Sequence, residues 1–261
     1  MRCLKKVFSF FLSMMLIFGA AGSPCSAFDG PTHKYVTEIA LEIVDNVFGE
    51  KTSKFYTLKD REQIGYGSVA PDNDENQGAY KDHFYNPVTE LNFMGEVTSA
   101  KTKCVDHFNR ALHYMKLHYQ SMTKGDLDRA KKHREKAMEE VGRSLHFLQD
   151  LNTPVHTNNQ TLVDTGFNFL SHVSFENTCK KVQDRVRASM QRREFWYYVV
   201  NNVETVATCS ALTADDNLYG YHEGYLPKEK AAENSINGGE KSSAGVLYKF
   251  CLMSNELKRN I

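Results

Sequence analysis

The sequence predicts an all-α fold, a single compact multi-helix domain, on three observations. Apolar residues recur at three- and four-residue intervals through segments 31–48, 102–122, 126–152, 171–191, 194–211 and 241–257, the period of one buried helix face. Alternating runs that would suit half-buried strands are scarce. No repeat, low-complexity tract or linker divides the chain after residue 27, and the length from Phe28 to Ile261 suits one hydrophobic core.

The elements follow in order. Residues 1–27 carry Arg2, Lys5 and Lys6, then an apolar run from Val7 to about Ala21, then small residues, the pattern of a secretory signal peptide. Cys25-Ser26-Ala27 offers the small-x-small cleavage site, so Phe28 is the expected mature N-terminus and secretion the expected destination. The alternative is a lipoprotein anchored through Cys25; Pro24 before the cysteine and the lack of a leucine-type lipobox weigh against it. No second apolar stretch is long enough to span a bilayer. Losing Arg2, Lys5 and Lys6 turns the formal balance from zero to −3, which gives no electrostatic argument for a nucleic-acid groove.

In the first helix Thr37, Ile39, Ala40 and Ile43 share a face, leaving Glu38, Glu42 and Asp45 to water. The stretch "GYGSVAPDNDENQGAYKDHFYNP" that follows is too rich in turn residues to be helical throughout, and Tyr80, Phe84 and Tyr85 argue that it is ordered. Segment 126–152 stops before Pro154, which cannot continue the hydrogen-bond ladder. A second loop, "TPVHTNNQTLVDTGFNFLSH", then leads to segment 171–191. Within it, Phe167, Phe169 and Leu170 either touch a lipid surface or anchor the loop to the core. Cys104, Cys179, Cys209 and Cys251 form two disulfides in any of three connectivities or stay as buried thiols; no CxxC pair points to a cysteine-held metal.

The chemistry concentrates around that second loop. His146 and Asp150 are four apart and share a helix face; His156 follows the Pro154 turn; His172 and Glu176 are again four apart. Either pair alone reads most simply as a surface ion pair. Two pairs plus a histidine, flanked by Leu145, Phe147, Leu148 and Phe175 that would bury the helices, read as zinc ligands of the imidazole and carboxylate type. His33, Asp72 and His83 are candidates upstream, each unremarkable by itself. His107, His113, His118, His133 and His222 are assigned to the surface or to ordinary packing.

The segments "GSVAPDNDEN", "KDHFYNP", "HFLQDLNTPVH" and "SHVSFE" together resemble the bacterial zinc-dependent phospholipase C family, the group that includes the clostridial alpha-toxin catalytic domain, and more distantly the fungal S1/P1 nucleases. The similarity runs from residue 28 to 261 and implies a helical domain of the phospholipase C/P1 nuclease type. It implies three zinc ions. Asp72, His83, His146 and Asp150 would hold one; Asp150 would bridge to a second, held by His33 and by the amine and carbonyl of Phe28; His156, His172 and Glu176 would hold the third. The family usually begins with tryptophan where this chain has Phe28, an exchange that leaves backbone ligands in place.

The same resemblance implies a secreted phosphodiesterase that cuts phosphatidylcholine-like lipids to diacylglycerol and a phosphorylated head group, with Asp72 orienting the attacking water or taking its proton. The expected partner is phospholipid at a membrane surface, with no nucleic acid, and a monomer is expected. Asn73 stands where choline-binding members carry an aromatic residue, and Tyr80 is the candidate wall for the head group. The short interval from Phe28 to His33 keeps an S1/P1-like single-strand nuclease or general phosphodiesterase as the alternative; Glu176 and "DHFYNP" favour the phospholipase.

Overall fold

In the computed structural model the described residues are 28–158, 165–222 and 224–261. The expected leader lies outside them, as do the side chains of Phe167, Phe169, Leu170 and His222. Among the described residues there is no strand. Seven longer helices carry the architecture: α1 (Gly30–Phe48), α2 (Leu58–Gly67), α3 (Ala100–Thr123), α4 (Leu127–Asp150), α5 (Thr165–Val182), α6 (Val203–His222) and α7 (Lys228–Arg259). They form a single helical domain.

Local chemistry sets most of the boundaries. Asp29 caps α1, accepting from the Thr32 amide at 3.1 Å, with Pro31 in the first turn, where its missing N–H costs nothing. Thr57 and Asp60 close a capping box on α2. Thr37, Ile39, Ala40 and Ile43 are buried while Glu38 and Glu42 are exposed, as the spacing requires. The Gly- and Asn-rich stretch is ordered as single turns, Pro71–Asp74 and Gln77–Tyr80, followed by a 3-10 turn over Lys81–His83. Phe84 and Tyr85 anchor it in the interior. Pro154 opens another single turn, Pro154–Thr157.

Several boundaries differ from the periodicity, the first being the start of α5, which lies at Thr165 within the expected second loop. Segment 171–191 ends as a helix at Val182; a 3-10 turn and irregular chain follow, since Val186 and Ala188 are drawn into the core and the Ala188 amide donates to Glu240. Segment 194–211 divides into Phe195–Val200 and α6, which runs on to His222 because Ala214 and Leu218 extend the buried face. The last helix starts at Lys228, far ahead of 241, through Gly238 and Gly239. A Cβ at Gly238 would lie 2.7 Å from Asn152 Oδ1, and one at Gly239 3.3 Å from Val36, so these glycines admit close approach to neighbouring elements.

Helix α4 is the axis of the domain. From Glu140 to Asp150 every residue is buried, so its polar members must find partners inside the protein. Where α4 crosses α2, Gly142 meets Gly67: a Cβ at Gly142 would come within 2.2 Å of Ile64 O, and one at Gly67 within 2.2 Å of Glu139 O. That contact brings the Ser68 carbonyl to His146. The larger core cluster includes Phe108, Met115, Leu145, Phe147, Leu148 and Phe250; a second gathers Phe28, Val36, Val155, Phe175 and Ile236. Cys104, Cys179, Cys209 and Cys251 are free thiols, all but Cys209 buried.

Glu240 on α7 is fully buried; its Oε2 accepts from the Ala188 amide at 2.6 Å, while Oε1 has no hydrogen-bond partner. Burial pushes its carboxyl up to about 7 from 4.5. A folded pKa above the unfolded one gives stability that is complete below pH 4.5 and lost as pH rises through 7. Glu240→Gln keeps the acceptor and removes the charge. Urea midpoints should show it more stable than the parent at pH 8, by on the order of 3 kcal/mol at most, and little changed at pH 4.5. An equal effect at the two pH values would contradict this.

Candidate metal centre

Five of the candidate residues converge from three parts of the chain. His33 comes from the first turns of α1, Asp72 and His83 from the two ends of the turn-rich loop, and His146 and Asp150 from the last turn of α4. Asp150 Oδ2 lies 2.9 Å from His83 Nδ1 and 3.5 Å from His146 Nε2, while its Oδ1 lies 3.5 Å from His33 Nε2. His146 Nε2 is 3.5 Å from Asp72 Oδ1 and 3.1 Å from His83 Nδ1. These atoms compose two overlapping groups able to hold a metal, His33-His146-Asp150 and Asp72-His83-His146. A third group stands beside them. His172 Nε2 is 3.2 Å from His156 Nε2 and 2.9 Å from Glu176 Oε1.

These spacings suit zinc. Bonds of about 2.0–2.1 Å in a tetrahedron place neighbouring ligand atoms roughly 3.3 Å apart. Two of the inward atoms, His33 Nε2 and Asp150 Oδ1, are buried and make no hydrogen bond, an arrangement that is costly unless a cation satisfies them.

The outward nitrogens decide the tautomers. His33 Nδ1 donates to Gln149 Oε1 at 2.7 Å, His83 Nε2 to Glu75 O at 3.3 Å, His146 Nδ1 to Ser68 O at 2.9 Å and His156 Nδ1 to His83 O at 2.8 Å. In the neutral ring each bond places a proton on the far side and leaves a lone pair facing the cluster, the state a metal requires. Gln149 is itself fixed, its amide donating to Thr37 Oγ1 at 2.9 Å and Ser243 Oγ at 3.2 Å.

Electrostatics favour that protonation at two of these four rings. Burial, with the charge of neighbouring histidines, holds His146 and His156 well below the usual imidazole range. Burial would raise Asp150, but the histidines around it, His146 first and then His33 and His83, outweigh it and hold the carboxyl well below its usual range. Burial lowers His33 and His83, but the Asp150 carboxylate outweighs it and raises both above the usual imidazole range, so a dication binding here displaces protons from them.

A family model described as zinc dependent phospholipase C matches residues 32–236. The chain belongs to the zinc-dependent phospholipase C family. Among its relatives, a phospholipase C of Paraclostridium bifermentans is 29% identical over 283 residues, covering 96% of this chain and 67% of that protein. One from Clostridium novyi is 28% identical over 246 residues, covering 84% and 58%. The solved alpha toxin from Clostridium absonum superposes with a TM-score of 0.67 at 23% identity, over 87% of this chain and 65% of that one, which shows the fold. The chain thus spans about two-thirds of the length of several such proteins.

As a zinc-dependent phospholipase C the chain brings the expected residues together unevenly. Eight side chains enter the three groups, and the fully buried Phe28 ring packs edge-on against His33, with ring centroids 5.5 Å apart. Tyr80 stands at the edge of the cluster, its ring 5.5 Å from that of His83 and its backbone left-handed at φ 62°. Asn73 does not join them. Its exposed side chain donates to Val69 O, and it lines a groove between α1 and α2 with Lys34 and Tyr66. His107, assigned to surface or packing, is buried in an ion network with Glu75 and Glu140. The carbonyls of Ser68, Glu75 and His83 carried no sequence signal, since a backbone acceptor leaves no mark on residue identity, and Gln149, which accepts through its side chain, was passed over between the ligands of its helix.

Proposed function

We propose that this chain is a secreted trizinc phosphodiesterase that hydrolyses phosphatidylcholine-like phospholipid to diacylglycerol and a phosphorylated head group. The carrying observation is that four histidines each hold an oxygen acceptor on one ring nitrogen and turn the other toward a buried carboxylate or a fellow histidine. In this reading Asp72, His83, His146 and Asp150 would hold one ion, and Asp150, His33 and the backbone of Phe28 a second. His156, His172 and Glu176 hold the third. When bound, zinc supplies positive charge to the phosphoryl oxygens and acidifies water. Asp72, nearly buried and 3.5 Å from His146, orients the attacking water or takes its proton. Tyr80 offers a ring to a quaternary ammonium head group.

The test is elemental analysis of the purified protein together with hydrolysis of phosphatidylcholine vesicles and of single-stranded DNA, each with and without chelator. Three zinc ions and chelator-sensitive lipid hydrolysis are expected. Cleavage of DNA without lipid hydrolysis would favour the nuclease alternative.

The leader gives a separate expectation. Cleavage after Ala27 frees the amine of Phe28 to join its carbonyl in chelating the zinc that His33 holds. A protein retaining Ala27 should bind fewer zinc ions and lose most lipid hydrolysis relative to one starting at Phe28. Equal zinc content and equal activity in the two would remove the terminal amine from the ligand set.

A further inference from the structure

Asp74 and Glu75 lie in the loop between Asp72 and His83, and their carboxylates enter a second ion network beside the metal centre. Arg143, three residues before His146 on α4, donates from Nη1 to Asp74 Oδ1 and Glu75 Oε1, both at 2.8 Å, and from Nη2 to Asp74 Oδ2 at 2.6 Å. Lys103 Nζ reaches Glu75 Oε2 at 2.8 Å. His107 Nε2 is 3.0 Å from Glu75 Oε1 and its Nδ1 2.7 Å from Glu140 Oε2. The Glu75 carboxylate is thereby bound from α3 and α4 at once. Its backbone carbonyl meanwhile accepts from His83 Nε2. A parallel contact runs through rings: His107 stacks on Phe147 at 5.5 Å and 13°, and Phe147 touches both His83 and His146, at 5.0 and 5.2 Å.

The turns from Pro71 to His83 are too short to hold themselves by helical hydrogen bonds. An ion network that is buried at Arg143 but exposed at Asp74 is also weak evidence of net stability, because desolvation at one end and solvent at the other cancel much of the attraction. Its geometry here defines a position: a planar guanidinium spans two adjacent carboxylates, which an ammonium cannot match. We propose that Arg143 is a positioning residue for the metal centre, fixing Asp74 and Glu75 so that the Glu75 carbonyl holds His83 with Nδ1 in the cluster. Arg143 acts through its hydrogen bonds to Asp74, Glu75 and, from Nε at 3.1 Å, Glu139. The inference rests on the zinc reading above.

The test measures metal, independent of turnover. Metal-free wild-type protein, Arg143→Met, Arg143→Lys and a control, Arg134→Met, are titrated with zinc against a chelating indicator, and their cobalt-loaded absorption spectra are compared. Arg134 pairs with Asp60 at 3.0 Å on the same helix, three turns before His146, so its loss destabilises without touching the loop. Arg143→Met should weaken one zinc ion by roughly 10–100-fold, the range for losing an outer partner, and alter the cobalt spectrum, while the other ions stay within about threefold. Arg143→Lys should fall between it and wild type. The control should keep wild-type affinities at a lowered melting temperature. Unchanged affinities in Arg143→Met, or losses matching the control, would overturn the assignment. If Arg143→Met does not fold, Arg143→Lys decides: a loss above about threefold at one ion supports it and a smaller one refutes it. Wild-type protein that binds no zinc overturns the metal-centre reading, and this inference with it.

Discussion

Replacing Asp150 with asparagine is expected to strip the protein of part of its zinc and to reduce turnover more than any other single ligand exchange. Its carboxylate lies within 3.5 Å of His33, His83 and His146, and it is fully buried. Asparagine keeps the shape, removes the charge that the proposed bridge between two ions needs, and turns an N–H₂ toward histidine lone pairs. Glu176→Gln is the comparison, because Glu176 meets one histidine of one group, His172 at 2.9 Å. Losing even an outer partner of a metal ligand costs about 10–100-fold in affinity or activity, so Asp150→Asn should exceed that and Glu176→Gln should fall short of Asp150→Asn. Zinc content and lipid turnover should rank the two variants alike. Asp150→Asn with full zinc and near-normal turnover would exclude the bridge.

Chelation should abolish activity and lower the melting temperature sharply without unfolding the domain at room temperature. Metal that binds only the folded state adds about 4 kcal/mol per site when free metal is a thousandfold above Kd. Each kcal/mol moves the midpoint by roughly 2–4 °C in a domain of this size, so losing one such ion costs on the order of 10 °C. The fold should survive because its core does not depend on the centre: Phe108, Met115, Leu145, Leu148 and Phe250 belong to a continuous apolar cluster. Calorimetry before and after dialysis against chelator, with circular dichroism of the metal-free protein, checks both parts. A melting temperature indifferent to chelation would mean that no metal contributes to folding.

The helices and half of the site were legible because both follow one rule, the 3.6-residue period. It placed Thr37, Ile39, Ala40 and Ile43 inside and His146 over Asp150. Asp72 and His83 obey no such spacing. They lie on single turns whose geometry depends on contacts from α3 and α4, and only the family resemblance singled them out. Helix α2 was hidden for another reason: its sequence, LKDREQIGYG, has a weak apolar stripe, and its position is decided by the meeting of Gly67 with Gly142. The long start of α7 was obscured by Gly238 and Gly239, which disfavour helix in isolation and are tolerated for the close packing they permit. Adjacency to Asp72 in sequence does not place Asn73 beside it in the groups: its side chain is exposed and donates to Val69 O.

His83 serves two of the three groups. Its ring enters the Asp72-His146 group, its carbonyl accepts from His156 Nδ1 at 2.8 Å, and the amide of Tyr85 two residues on donates to His156 O at 3.0 Å. The two groups therefore share a mechanical degree of freedom. A shift of the backbone at residue 83 that moves its ring also moves the carbonyl that holds His156. The segment from His83 to Tyr85 is a shared hinge-pin in the engineer's sense: redesign for a different metal or substrate must move both groups together or leave this stretch untouched.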